Sequence, residues 1–166
     1  MMLPPPYRVG RNNEGTRFTI VLELPLGMFE ALPATIEFDG GNFFKKKEFH
    51  VTLVHALASL EESLTSRFKA FVEAHPIALL GFDTDIRVAE KDVNRSIIVR
   101  CTVACLDELF IELRAAGFDL PLQPAHVTLY SIVDNVGIAI DSIAEMESLP
   151  QVKIPALEAA LSEIEF

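Results

Sequence analysis

The chain has 166 residues, half of them hydrophobic, enough to bury a core in one domain or in two small lobes sharing an interface. Twenty-four acidic against fourteen basic residues leave a net charge of -10, whose long-range field repels nucleic acid and excludes a broad DNA or RNA binder. The two cysteines, Cys101 and Cys105, exclude a disulfide framework and a four-ligand zinc site, and point to a reducing, cytoplasmic setting.

Residues 1–15 carry three consecutive prolines, two asparagines and two glycines, and read as an irregular lead-in. They lack the charged and apolar regions of a signal peptide, and no apolar run reaches the roughly 18 residues needed to cross a membrane. Arg17 to Leu24 alternates apolar and polar positions and predicts a strand. The stretch 25–48 is hard to place; Ala34 to Phe38 reads as a short strand and Asp39-Gly40-Gly41 as a turn. Phe49 to Val54 predicts another strand. Leu60 to Ala74 has helical spacing, with Ser59 and Glu62 placed for a capping box, and Pro76 stops it. Ile77 to Val88 reads as extended with a turn at 83–85, and Ser96 to Val103 as a strand. A helix over Leu106 to Ala116 ends at Gly117, and a strand over His126 to Tyr130 follows a loop bounded by Pro121 and Pro124.

One tetrapeptide occurs twice. His-Val-Thr-Leu stands at 50–53 and again at 126–129, each copy followed by a loop, a helix-like stretch (60–74 and about 137–148), a proline and a further segment. Two copies are too few for a solenoid but suit a pair of facing lobes. By analogy with 77–88, the last segment, 152–166, is read as mostly strand, against the helical composition of 156–165.

On a strand, residues i and i+2 share a face. His50 therefore points with Thr52, and His126 with Thr128, while Val51, Leu53, Val127 and Leu129 point into a core. If the lobes face each other, two imidazoles converge on one cleft. Displacement at phosphorus needs a proton taken from the attacking oxygen and another given to the leaving oxygen. Histidine titrates near pH 6.5, so one ring can serve as base and the other as acid, each typically contributing about 100- to 10,000-fold. The two threonine hydroxyls can stabilise charge on the non-bridging oxygens.

A matched pair of His-x-Thr-x motifs, one per half and each on a strand, resembles the signature of the two-histidine (2H) phosphoesterase superfamily, which includes the 2′-5′ RNA ligase-like proteins and cyclic phosphodiesterases. The spacing of the histidines and the order of elements from residue 16 onward are also similar to that family. The resemblance implies an α+β, bilobal, pseudo-symmetric fold, with two antiparallel sheets facing a central cleft and helices outside. The lobes would span about 16–90 and 91–166 of a single domain, with room for strand exchange between them. It implies catalysis without a metal or other cofactor, on 2′,3′-cyclic or 2′-5′ phosphodiester bonds of nucleotides or RNA ends. His50 and His126 would be acid and base in an unassigned order, with Thr52 and Thr128 beside them. Two alternatives stand beside hydrolysis: a module that binds a nucleotide or RNA end without turnover, and ligase-like chemistry.

Further residues are candidates for substrate contact. Lys46 shares the His50 face on a continuing strand and would attract phosphate, although Lys45-Lys46-Lys47 equally reads as a solvated strand edge. Tyr130, two residues beyond Thr128, would bond the phosphate, stack on a base or pack at the rim. Arg100 and Arg17 are either cleft cations or surface charges. His55 falls on the side opposite His50 if the strand continues regularly. A histidine metal site fails on ligand count, since no HxH, HExxH or matching carboxylate accompanies the motifs. The expected partner is a small nucleotide or RNA-end phosphodiester, with no long duplex and no membrane.

Overall fold

A computed structural model of the protein describes residues 2–166, an α+β arrangement of nine strands and four α-helices. In chain order the strands are β1 (Tyr7–Arg11), β2 (Arg17–Leu24), β3 (Thr35–Phe38), β4 (Gly41–Lys45) and β5 (Phe49–Leu57). Helix α1 (Glu61–Ala74), β6 (Leu79–Lys91), β7 (Asn94–Val103) and α2 (Leu106–Ala115) come next. Then follow β8 (His126–Ser131), α3 (Ile143–Ser148), β9 (Gln151–Val152) and α4 (Pro155–Ser162).

All strands join one antiparallel sheet, in the order β1-β2-β5-β8-β7-β6-β9, with the β3–β4 hairpin branching from β8. The expectation of two separate sheets is thereby corrected. The two motif strands, β5 and β8, are hydrogen-bonded neighbours paired at Val51 and Val127. β4 and β5 use the same edge of β8 in succession, and Lys46 N donates to Leu129 O between them at 2.8 Å. β6 crosses over after α1 to pair with β7 and β9, so the middle of the chain lies beside its last third.

One face of the sheet is covered by α1, α2 and α4. Leu64, Phe68 and Phe71 of α1, Leu109 and Phe110 of α2, and Leu157 and Leu161 of α4 join the core residues of the strands. Val51, Leu53, Val127 and Leu129 all enter this core, as alternation along a strand requires. On the opposite face a small cluster of Ala89, Ile98, Ile140 and Met146 seats α3 and residues 138–140 over β6 and β7. The rest of that face, over β8, β5 and β2, is where the site lies.

Four expectations need correction. Residues 152–166 form little strand: only Gln151–Val152 pairs with β6, and α4 follows, opened by Pro155 at its first turn. Here helix propensity, with Leu157 and Leu161 buried one turn apart, outweighed the analogy between the two halves. The expected helix at 137–148 shrinks to Ile143–Ser148, capped by Ser142 accepting from Glu145 N at 3.1 Å. Helix α1 has no side-chain cap, so the Ser59–Glu62 box does not form. Finally, the lead-in contains β1, a full partner of β2, with Tyr7 buried and its hydroxyl donating to Ile77 O at 2.9 Å. Among the described residues no helix is long and apolar enough to cross a membrane.

Candidate active site

The two His-Val-Thr-Leu strands share a local irregularity. Along β2, Ile20 and Val21 face Val54 and Thr52, so Leu53 is an extra residue in β5. Along β7, Ile97 and Ile98 face Tyr130 and Thr128, so Leu129 is an extra residue in β8. Each is a β-bulge at the fourth position of the tetrapeptide, and a bulge reverses which face the following side chains take. Up to the bulge, alternation holds: His50, Thr52, His126 and Thr128 all line one cleft of about 630 Å³. The Val51–Val127 pairing puts His50 beside Thr128 and Thr52 beside His126. The histidines thus occupy a diagonal, with β-carbons roughly 7–8 Å apart in regular sheet geometry. The walls of the cleft are the β1–β2 hairpin on one side and residues 135–141 on the other.

Both imidazoles are largely withdrawn from solvent. His126 Nδ1 lies 2.6 Å from Pro124 O. A carbonyl can only accept, so Nδ1 carries the proton and the neutral ring keeps its lone pair on Nε2. Burial pushes the His126 pKa down; the Pro124 hydrogen bond opposes this, and Arg100 adds to the lowering. Burial also lowers the His50 pKa, against an upward pull from Glu48 and with further lowering by Arg8, Lys46 and His126. Among the described residues the His50 ring has no hydrogen-bond partner in the protein. The mutual effect of His50 and His126 reflects their closeness in the cleft.

The other candidates are placed less uniformly. Lys46 lines the cleft, but its ammonium is largely buried and donates to Asn135 O at 2.6 Å, tying down the 135–141 wall. Burial lowers its pKa, opposed by Glu48 and Asp134. Arg100 sits directly across from His126 on β7, yet its guanidinium leans to Asp85 at 3.7 Å. Arg17 stands at the exposed start of β2 and lines a neighbouring groove, away from the motif residues of β8. Tyr130 is a correction. It is fully buried in the helix-side core, and its hydroxyl donates to Pro33 O at 2.7 Å. The bulge at Leu129 turned it away from the Thr128 face.

The same device brings in a residue that regular alternation excludes. After the bulge at Leu53, His55 lies on the cleft face, paired across β2 with Thr19. Its Nδ1 is 3.1 Å from Asp141 Oδ1. Gln123 also lines the cleft; it is almost fully buried and its amide has no hydrogen-bond partner among the described residues. Neither contact was legible in sequence, because a bulge has no residue signature here and Gln123 sits in a loop. Arg11, at the far end of the cleft, is held by Glu61, its Nε donating at 2.8 Å. Among the described residues no cluster of three or more His, Cys, Asp or Glu side chains is arranged to hold a metal ion.

Chemically, the cleft offers two rings that can exchange protons, two hydroxyls between them and an unpaired amide nearby. No protein-family model, no curated protein and no solved structure matches the chain.

Proposed function

We propose that the protein is a metal-independent phosphodiesterase of the two-histidine kind, acting on 2′,3′-cyclic phosphates of small nucleotides or RNA ends. The observation that carries this reading is the diagonal of His50 and His126, interleaved with Thr52 and Thr128, on one face of two paired strands lining one cleft. The matching bulges at Leu53 and Leu129 support a pseudo-symmetric, two-lobed ancestry of the 2H type. Free Cys101 and Cys105 accord with a reducing, cytoplasmic setting.

Roles follow from hydrogen bonding. His126, with Nδ1 committed to Pro124, is the base: its Nε2 takes a proton from water as the water oxygen bonds to phosphorus. His50, whose charged form is favoured by Glu48, is the acid: it gives its proton to the ribose oxygen as the phosphorus–oxygen bond breaks. The product is a phosphomonoester. The hydroxyls of Thr52 and Thr128 donate to the non-bridging oxygens as their charge grows.

The experiment is hydrolysis of 2′,3′-cyclic nucleotides by wild type, His50→Ala and His126→Ala. Each substitution is expected to lower kcat by about 100- to 10,000-fold, and EDTA to leave the wild-type rate intact. Full activity in either variant, or loss with EDTA, removes the mechanism.

A further inference from the structure

We propose that His55, held by Asp141, is a specificity residue that contacts the neutral ribose–base portion of the substrate. This rests on the phosphodiesterase reading of the cleft. The argument starts from an asymmetry between the two motif strands. Both carry a bulge at the motif leucine, so both turn the second residue after it back to the cleft face. On β8 that residue is Ser131, fully buried, its hydroxyl spent on Val133 O at 2.7 Å. On β5 it is His55, which remains partly open and lines the cleft. The β8 end is therefore closed by the protein itself, and the β5 end presents a third ring.

The space beyond the motif residues extends the same way. A second groove, lined by Gly10, Thr19 and Arg17, continues from His50 and His55 across β2 to β1. A substrate with its phosphate over the His50–His126 diagonal has room for the rest of its bulk only over β5 and β2. His55 is prepared for a contact there. A carboxylate only accepts, so Nδ1 carries the proton toward Asp141 and Nε2 is left for a ligand. The charges at this end favour a neutral group. Glu61 meets the Arg11 charge and Asp141 adds another carboxylate, so a second phosphate would face two anions. A sugar hydroxyl or a base edge meets no such opposition.

The test compares two cyclic phosphodiesters, a 2′,3′-cyclic nucleotide and glycerol 1,2-cyclic phosphate, which lacks the nucleoside. His55→Ala is expected to lower the ratio of their kcat/KM values about tenfold, through KM for the nucleotide. Asp141→Asn is expected to move the ratio in the same direction by less, since the ring loses its orienting partner. An equal loss on both substrates overturns the proposal, as does a lower melting temperature with the ratio unmoved. If the wild type turns over neither substrate, the phosphodiesterase reading falls separately. The contact is then read from the imidazole nitrogen resonances of His55 during titration with a nucleoside 3′-monophosphate or inorganic phosphate. A shift with the nucleotide alone supports the assignment; no shift, or the same shift with phosphate, overturns it.

Discussion

At the residue scale, the two motif histidines pull against their own task. A base must be neutral and an acid protonated, yet burial lowers both pKa values from the ordinary 6.5. In the free protein the state with one proton shared between the two rings is therefore most populated on the acid side of that value. Since kcat/KM reports the free enzyme, its pH profile is expected to be a bell centred below 6.5 and falling towards pH 8. A profile of kcat/KM from pH 4.5 to 9 checks this, and an optimum above 7 contradicts it. Bound phosphate, being anionic, raises both values, so the kcat profile is expected to lie to the alkaline side of the kcat/KM profile. Tyr130 offers the complementary check. Its hydroxyl serves Pro33 O and not the cleft. Tyr130→Phe is expected to lower unfolding free energy by about 1 kcal/mol and to leave kcat/KM within about twofold. Urea denaturation and the cyclic nucleotide assay measure the two effects.

At the element scale, the bulges at Leu53 and Leu129 decide the composition of the site. They are why Tyr130 left the cleft and His55 joined it. Ordinary alternation was legible up to the fourth residue of each motif and failed one step later, because an extra residue costs one ladder pair and leaves no compositional mark. The C-terminal segment gives the opposite lesson. There local propensity was the correct guide, and the analogy between halves misled. Helix α4 packs its fully buried Leu157 beneath the sheet. Leu157→Ala is expected to cost about 2–5 kcal/mol, whereas Leu80→Ala, on an exposed side chain, is expected to stay within about 0.5 kcal/mol. Comparison of their urea midpoints tests the docking of α4.

At the scale of the whole molecule, the cleft is also a stability liability in acid. His50 and His126 bind protons less readily folded than unfolded. Between the lowered folded values and the unfolded value near 6.5, the unfolded chain holds more protons, so stability rises with pH across that window. Their contribution is complete above 6.5 and is lost as pH falls towards the folded values. Urea midpoints are therefore expected to drop between pH 7.5 and 5.5, and to drop less in the His50→Gln/His126→Gln double variant. An equal drop in both proteins would assign the effect to other groups.

The sequence alone determined the elements whose period and motif are local: the paired His-x-Thr strands, α1, α2, β7, and the inward course of Val51, Leu53, Val127 and Leu129. It also determined that two imidazoles could share a task. Only the tertiary structure decided that β5 and β8 are neighbours in one sheet, that Lys46 and Arg100 are spent on Asn135 and Asp85, and that His55 faces the cleft. The physical reason is range. Alternation and helix propensity act over a few residues, whereas strand register, bulges and the choice of a charged group's partner are set by contacts between residues far apart in the chain.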